Sequence, residues 1–177
     1  MEKYHNTNSN TIWVEFEEDP WIISDTHFFH RNIIKYTGRP FETVTEMNEA
    51  IVKNWNDCVG KDDLILHLGD FGLSSSRNLE KIIKRLKGIK WIIIGNHDRS
   101  RNWYVSRGFD RAVKKPLETR DYIFSHRPIL PCKKINIHGH MHQKRMRKRG
   151  YINASVEHID YRPIKLSDLI KKFADRI

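Results

Sequence analysis

Apolar residues along this chain come in short unbroken runs, and the residues that end those runs are chemically alike. Trp21-Ile22-Ile23-Ser24 hands over to Asp25 and His27, and Leu64-Ile65-Leu66-His67-Leu68 leads through Gly69 to Asp70. Trp91-Ile92-Ile93-Ile94 leads through Gly95 to Asn96, His97 and Asp98. Tyr122-Ile123-Phe124-Ser125 leads to His126, and Ile135-Asn136-Ile137-His138 leads through Gly139 to His140 and His142. A short run without a polar face reads as a strand covered on both sides. In α/β sheets, ligands gather where strands end at their carboxyl edges. The pattern therefore predicts five strands that deliver carboxylates, an amide and imidazoles to one edge. Gly95 is expected to let the backbone turn sharply after its strand. The plainer alternative for residues 96–98 is a capped turn in which Asn96 and Asp98 bond their own backbone.

Between these runs the periodicity changes. Thr11-Ile12-Trp13-Val14-Glu15-Phe16 alternates as a half-buried strand does, and Glu17-Glu18-Asp19-Pro20 is a turn. Residues 28–34 read as a loop passing into a short helix. Thr43 with Glu46 makes a capping box for a longer helix whose Met47, Ile51 and Trp55 face the core. Serines 74–76 can cap a helix carrying Leu79, Ile82, Ile83 and Leu86, ended by Gly88, so 64–94 reads as a parallel strand–helix–strand crossover. Residues 100–108 suit a short helix. Thr119-Arg120-Asp121 suits a hairpin turn, 144–150 suits another, and Ser167 is placed to cap a last helix. The expected architecture is two sheets packed face to face with helices outside.

Composition adds bounds. A chain of 177 residues suits a single domain, 1–177, with one core and a loose polar tail over 1–10. With 38% hydrophobic and 31% charged residues it is globular, and its apolar runs are too short to cross a bilayer. No signal-peptide core follows the N-terminus, so a cytoplasmic location is expected. Cys58 and Cys132 are too few for a disulfide framework or a thiolate metal site and are expected to be buried thiols. The formal net charge of +10 favours anionic partners such as phosphate-bearing substrates or nucleic acid, or else serves only to solubilise the surface.

Asp25-x-His27, Gly69-Asp70, Gly95-Asn96-His97-Asp98, His126 and Gly139-His140-x-His142, in that order, resemble the signature of the calcineurin-like metallophosphoesterases. The stretch from Asp25 through His30, Asn32 and Arg39-Pro40-Phe41 looks like a small single-domain bacterial and phage subgroup of that family. The resemblance implies an α/β, four-layer αββα sandwich of two mixed sheets. It implies two divalent transition ions, manganese favoured over iron, nickel or zinc, which the imidazole and carboxylate donors suit. By the same resemblance Asp25, His27 and His142 would hold one ion, Asn96, His126 and His140 the other, and Asp70 would bridge them. A metal-bridging hydroxide would attack phosphorus in line, without a side-chain nucleophile.

In that family His97 is a non-ligand that would protonate the leaving oxygen or bond phosphate, and Asp98 would orient it. The alternatives are a surface imidazole and a cap. His30, Asn32 and Arg39 would lie near the phosphate or else stabilise their loop. Lys144, Arg145, Arg147, Lys148 and Arg149 form either a solvated tip or a site, with Arg145 and Arg147 at its centre, for the non-reacting part of a polyanion. His67 and His138 are expected in core or supporting roles, and His158 on a surface strand. The expected activity is hydrolysis of phosphodiesters, whether nucleotide, cyclic nucleotide or nucleic acid, in preference to monoesters. Rival expectations are a phosphomonoesterase or protein phosphatase, a non-catalytic scaffold on the same fold, and a nucleic-acid-binding module.

Overall fold

A computed structural model describes residues 10–177, so all but the last residue of the expected tail over 1–10 lies outside the described residues. In chain order the strands are β1 (Ile12–Trp13), β2 (Trp21–Ile23), β3 (Leu64–His67), β4 (Ile89–Ile93), β5 (Arg111–Val113), β6 (Leu117–Glu118), β7 (Tyr122–Ser125), β8 (Ile135–His138), β9 (Tyr151–Asn153) and β10 (Ile164–Lys165). The helices are α1 (Arg31–Thr37), α2 (Val44–Cys58), α3 (Ser76–Ile83), α4 (Arg101–Val105) and α5 (Leu166–Lys172).

The strands form two five-stranded mixed sheets, ordered β1-β6-β7-β8-β9 and β10-β2-β3-β4-β5. In the second, β2, β3, β4 and β5 run parallel and β10 antiparallel. In the first, β7, β8 and β9 are parallel, which aligns the carboxyl ends of the strands predicted to carry ligands. Phe16 joins the layers, its ring 5.7 Å from Phe124 of β7 and 6.3 Å from Trp91 of β4. One continuous hydrophobic core results, the αββα sandwich expected. No helix among the described residues is long and apolar enough to cross a membrane.

Local sequence explains the helices. Thr43 accepts from the Glu46 amide as a cap, but the Glu46 carboxylate reaches back to the amide of Glu42 rather than to that of Thr43. Met47, Ile51 and Trp55 are buried as expected, and the Trp55 indole donates to the Lys87 carbonyl at 3.0 Å. Ser75 caps α3, which crosses from β3 to β4.

Several elements differ from expectation, each for a physical reason. The alternation at 11–16 gives only a two-residue strand, because its partner β6 is itself two residues long. Helix α3 stops at Ile83, and Gly88 serves the turn into β4 instead. Residues 144–150 turn no hairpin: β8 and β9 are parallel, so the chain between them must cross over. Helix α5 is not capped by Ser167; Asp19, before β2, accepts from the Ser167 amide at 3.1 Å and from its hydroxyl at 2.8 Å. His158 lies in a 3-10 turn (Val156–His158), and both cysteines are only half-buried.

Candidate metal centre

Every predicted donor lies just past the carboxyl end of its strand, and the two sheets bring those ends together. Asp25, His27 and His142 place one ligand atom each within 4.8 Å of one another, and so do Asp70, His126 and His140. Asp70 belongs to both neighbourhoods, with Oδ2 3.4 Å from His126 Nε2 and 3.7 Å from His27 Nε2. Asn96 Oδ1 lies 3.0 Å from His126 Nε2.

Backbone conformation makes this convergence possible. Asp25, His27, Asp70, His140 and His142 all have left-handed backbones, with φ between 49° and 68°. For residues other than glycine that conformation costs roughly 1–3 kcal/mol each and persists only where the surroundings fix it. Here they do. The Asp25 amide donates to the Gly69 carbonyl at 3.0 Å and the His27 amide to that of Asp70 at 3.1 Å. The Asp25 carboxylate in turn receives the His140 amide at 2.9 Å, and Asp70 Oδ1 receives that of His97 at 2.9 Å. The chain turns after Gly95, with the Asp98 amide 3.4 Å from the Gly95 carbonyl, but what Gly95 and Gly139 supply is space: a Cβ at Gly95 would strike the Asp70 side chain, and one at Gly139 would strike Ser24 and Asp25. Neither has a positive φ.

The donors fit cations. His27 is 2% exposed, and neither of its ring nitrogens has a hydrogen-bond partner among the described residues, a cost a cation would remove. Burial depresses the His27 pKa to about 2, so the ring is neutral with a lone pair to give, and its contact with Asp70 is not an ion pair. Burial likewise raises the Asp25 pKa. For Asp70 burial acts upward too, but the His126 hydrogen bond, the His126 charge and the His97 amide outweigh it and hold the carboxyl below its ordinary value. Burial opposes charge on His126 and His142, yet bonds to Asp70 and to Glu157, respectively, leave both raised.

Glu157 was not apparent in the sequence. Its Oε1 accepts from His142 Nδ1 at 3.1 Å and from Arg39 Nη2 at 2.8 Å, so His142 offers Nε2 toward the site. The only signal was an acid closing the stretch Tyr151-Ile152-Asn153-Ala154-Ser155-Val156-Glu157, in which apolar and small polar residues mix, after the last donor. Ser155, whose Oγ lies 3.0 Å from Asp25 Oδ2, was missed as well. So was Asn153, whose amide holds the carbonyls of His142 and Lys144 at 2.8 Å each.

Other expectations need correcting. Arg39 does not face a phosphate: its residue is 4% exposed, and Nη1 and Nη2 donate to the carbonyls of Thr26 and Asp25 at 2.9 and 2.7 Å. Asp98 does not orient His97. Its carboxylate receives the amides of Asp70, Phe71 and Gly95 at 2.8–2.9 Å and the buried Tyr104 hydroxyl at 2.6 Å, clamping two donor loops together. His97 itself is exposed, its ring 5.6 Å from that of His27, and His30 lies 5.4 Å from His27 on the same rim. Asn32 is exposed on α1 and does not line the cleft over the donors. Arg145 turns away to lie 5.8 Å from the Phe173 ring, and Arg147 is exposed outside the cleft. The cleft cations are Lys144 and Arg127, the latter adjoining His126 and 3.3 Å from Asn96 Oδ1. His67 is a core residue: the Gly69 amide donates to Nδ1, which leaves Nε2–H for the Thr26 hydroxyl at 3.0 Å.

Two groups of carboxylate and imidazole donors, with Asp70 close to both, thus stand at the strand ends of an αββα sandwich as a candidate two-metal site. The calcineurin-like phosphoesterase family model matches residues 20–172, and the chain belongs to that family. It is similar to the uncharacterized protein MJ1445 of Methanocaldococcus jannaschii, with 37% identity over 88% of this chain and 91% of that one. It is 31% identical to the Gene 66 protein of Mycobacterium phage L5 over 44% of this chain and 39% of the phage protein. Among solved structures, a protein of unknown function, AQ665 from Aquifex aeolicus, superposes with a TM-score of 0.69 at 28% identity, covering 86% of this chain and 98% of that one.

Proposed function

We propose that the protein is a dinuclear metal-dependent phosphodiesterase. The observation that carries this reading is Asp70, whose Oδ2 is within 3.7 Å of a donor of each group. Asp25, His27 and His142 would hold one divalent ion, Asn96, His126 and His140 the other, and Asp70 both. Manganese is the favoured pair, and iron, nickel and zinc suit the same donors. Such ions supply Lewis acidity toward a phosphoryl oxygen and lower the pKa of water.

The protein's own groups do the rest. With two carboxylates among seven donors the loaded site is net positive, which favours a phosphate and the charge that builds on it. His97, exposed on the rim beside His27, is positioned to give its proton to the leaving oxygen as the P–O bond breaks and water supplies the new oxygen on phosphorus. Asp98 acts at a distance, holding the loops of Asp70 and Gly95. A diester is favoured over a monoester because the site is flanked by two open cavities, of about 720 and 790 Å³, with room for an organic group on either side.

The test is hydrolysis of methyl 4-nitrophenyl phosphate and 4-nitrophenyl phosphate by manganese-loaded protein, alongside elemental analysis. The diester should be cleaved faster, and His97→Ala should retain both ions while losing roughly 10²- to 10⁴-fold in kcat on poor leaving groups. The loss should be smaller on nitrophenyl esters. Preferred cleavage of the monoester, or no more than one ion per chain, overturns the reading.

A further inference from the structure

The two cavities beside the candidate centre meet at a ridge made by Arg127 and Pro128, and their walls differ in chemistry. The cavity over His27, His97 and His142 is lined in part by apolar and aromatic side chains, with Lys144 and Arg127 as its cations. Tyr36 on α1, 67% exposed, and Leu130, 56% exposed, belong to it together with Ile33 and Met146. A tyrosine this exposed on a cavity wall offers its ring as a stacking surface. It stands with its ring 6.2 Å from that of His30, on the site's rim. The cavity beyond the ridge, bordering Asn96 and His126, carries the exposed Lys114 and Arg127 on its wall, with Arg99 beside them held by the Ser74 carbonyl and the Trp103 ring.

We propose that the substrate is a single nucleic-acid strand lying across the ridge, with one base stacked on Tyr36 and against Leu130 and a neighbouring phosphate held at Lys114 and Arg127. This deepens the phosphodiesterase reading and rests on it for the place of the cleaved bond. A base is the planar group that such a wall accepts without reading sequence, and stacking with backbone cations is how single strands are bound generally. The alternation matches the polymer: an apolar planar group, the reacting phosphate, then another anion. The net charge of +10 suits a polyanion. Of the cations in segment 144–149 only Lys144 lines either cavity, since Arg145 packs on Phe173 and Arg149 donates to the Asp175 carbonyl. The other cations that border the centre follow the ends of β4, β5 and β7: Arg99, Lys114 and Arg127.

Two measurements test this. The first is binding of a fluorescently labelled eight-residue oligothymidylate to the metal-free protein by anisotropy over a salt series. Tyr36→Ala should weaken binding roughly tenfold, and Tyr36→Phe should restore it. Lys114→Gln should weaken it several-fold and reduce the slope of log affinity against log salt by about 0.7, the value for one lost contact on a single strand. The second is hydrolysis of the same oligomer and of methyl 4-nitrophenyl phosphate by manganese-loaded protein. Lys114→Gln should lower kcat/KM on the oligomer and leave that on the small ester unchanged. Oligomer binding insensitive to both substitutions, equal effects on the two substrates, or a phosphoserine peptide cleaved in preference to the oligomer would overturn the proposal. Variant-sensitive binding without any hydrolysis would uphold the strand path and count against the catalytic reading alone.

Discussion

The two donor groups use the same chemistry and are held in opposite ways. Asp25, His27 and His142 are backed by buried charge: Glu157 accepts from His142, and Arg39 ties Glu157 to the carbonyls of Asp25 and Thr26. Asp70, His126 and Asn96 are backed by the main chain. His126 Nδ1 donates to the Leu68 carbonyl at 2.9 Å, and the Asp98 carboxylate collects the surrounding amides. Asn96 is exposed, whereas Asp25 and His27 are buried. A carboxylate behind an imidazole makes it a stronger donor and fixes its tautomer. The first group should therefore hold its ion tightly and the second should exchange.

Because Asp70 serves both groups, Asp70→Asn should have the largest effect. Stoichiometry should fall from two ions to one or fewer and diester hydrolysis should become undetectable, by elemental analysis and initial rates. Retention of both ions would break the link between the groups. Glu157→Gln separates them. Affinity at the first group should fall by about 10- to 100-fold, the usual loss when a histidine ligand's carboxylate partner is removed. The second group's affinity should not move, and calorimetric titration with manganese would show which of two phases shifts. Glu157→Ala should in addition destabilise the metal-free protein by about 3–5 kcal/mol, because Arg39 would remain buried without its partner.

The smallest effect concerns His67, which bridges the loops of the two groups through the Gly69 amide and the Thr26 hydroxyl. Burial holds its pKa at about 3, below the ordinary 6.5. Between those values the unfolded chain binds a proton that the folded chain does not, so this residue's effect is to lower stability as pH falls from 6.5 toward 3. His67→Gln should flatten the urea-unfolding free energy of metal-free protein over that window by up to about 1.4 kcal/mol per pH unit. An unchanged slope would mean that His67 takes up a proton in place.

How much of this was legible in the sequence depended on the range of the interaction. The apolar run 91–94 had to be a covered strand, and Thr43 had to cap α2, because periodicity and capping are properties of neighbouring residues. The order of the donors was equally open to view, since each follows its own strand. Hairpin or crossover at 144–150 was not, because loop composition does not record whether the next strand pairs parallel. Asp19 was not visible as the partner of Ser167, nor Glu157 as the partner of His142, for a related reason. An amide or imidazole accepts any carboxylate brought to it, and only packing decides which one arrives.

The sequence by itself therefore determined the strands, the donors at their ends and the chemistry those donors can support. The tertiary structure decided which donors share a neighbourhood, that Arg39 and Asp98 are supports and not reacting groups, and which cations face the cleft. The physical reason is that side-chain type and local period are carried by the chain, whereas burial and partner are created only when two sheets close on each other and leave a carboxylate such as Glu157 one place to go.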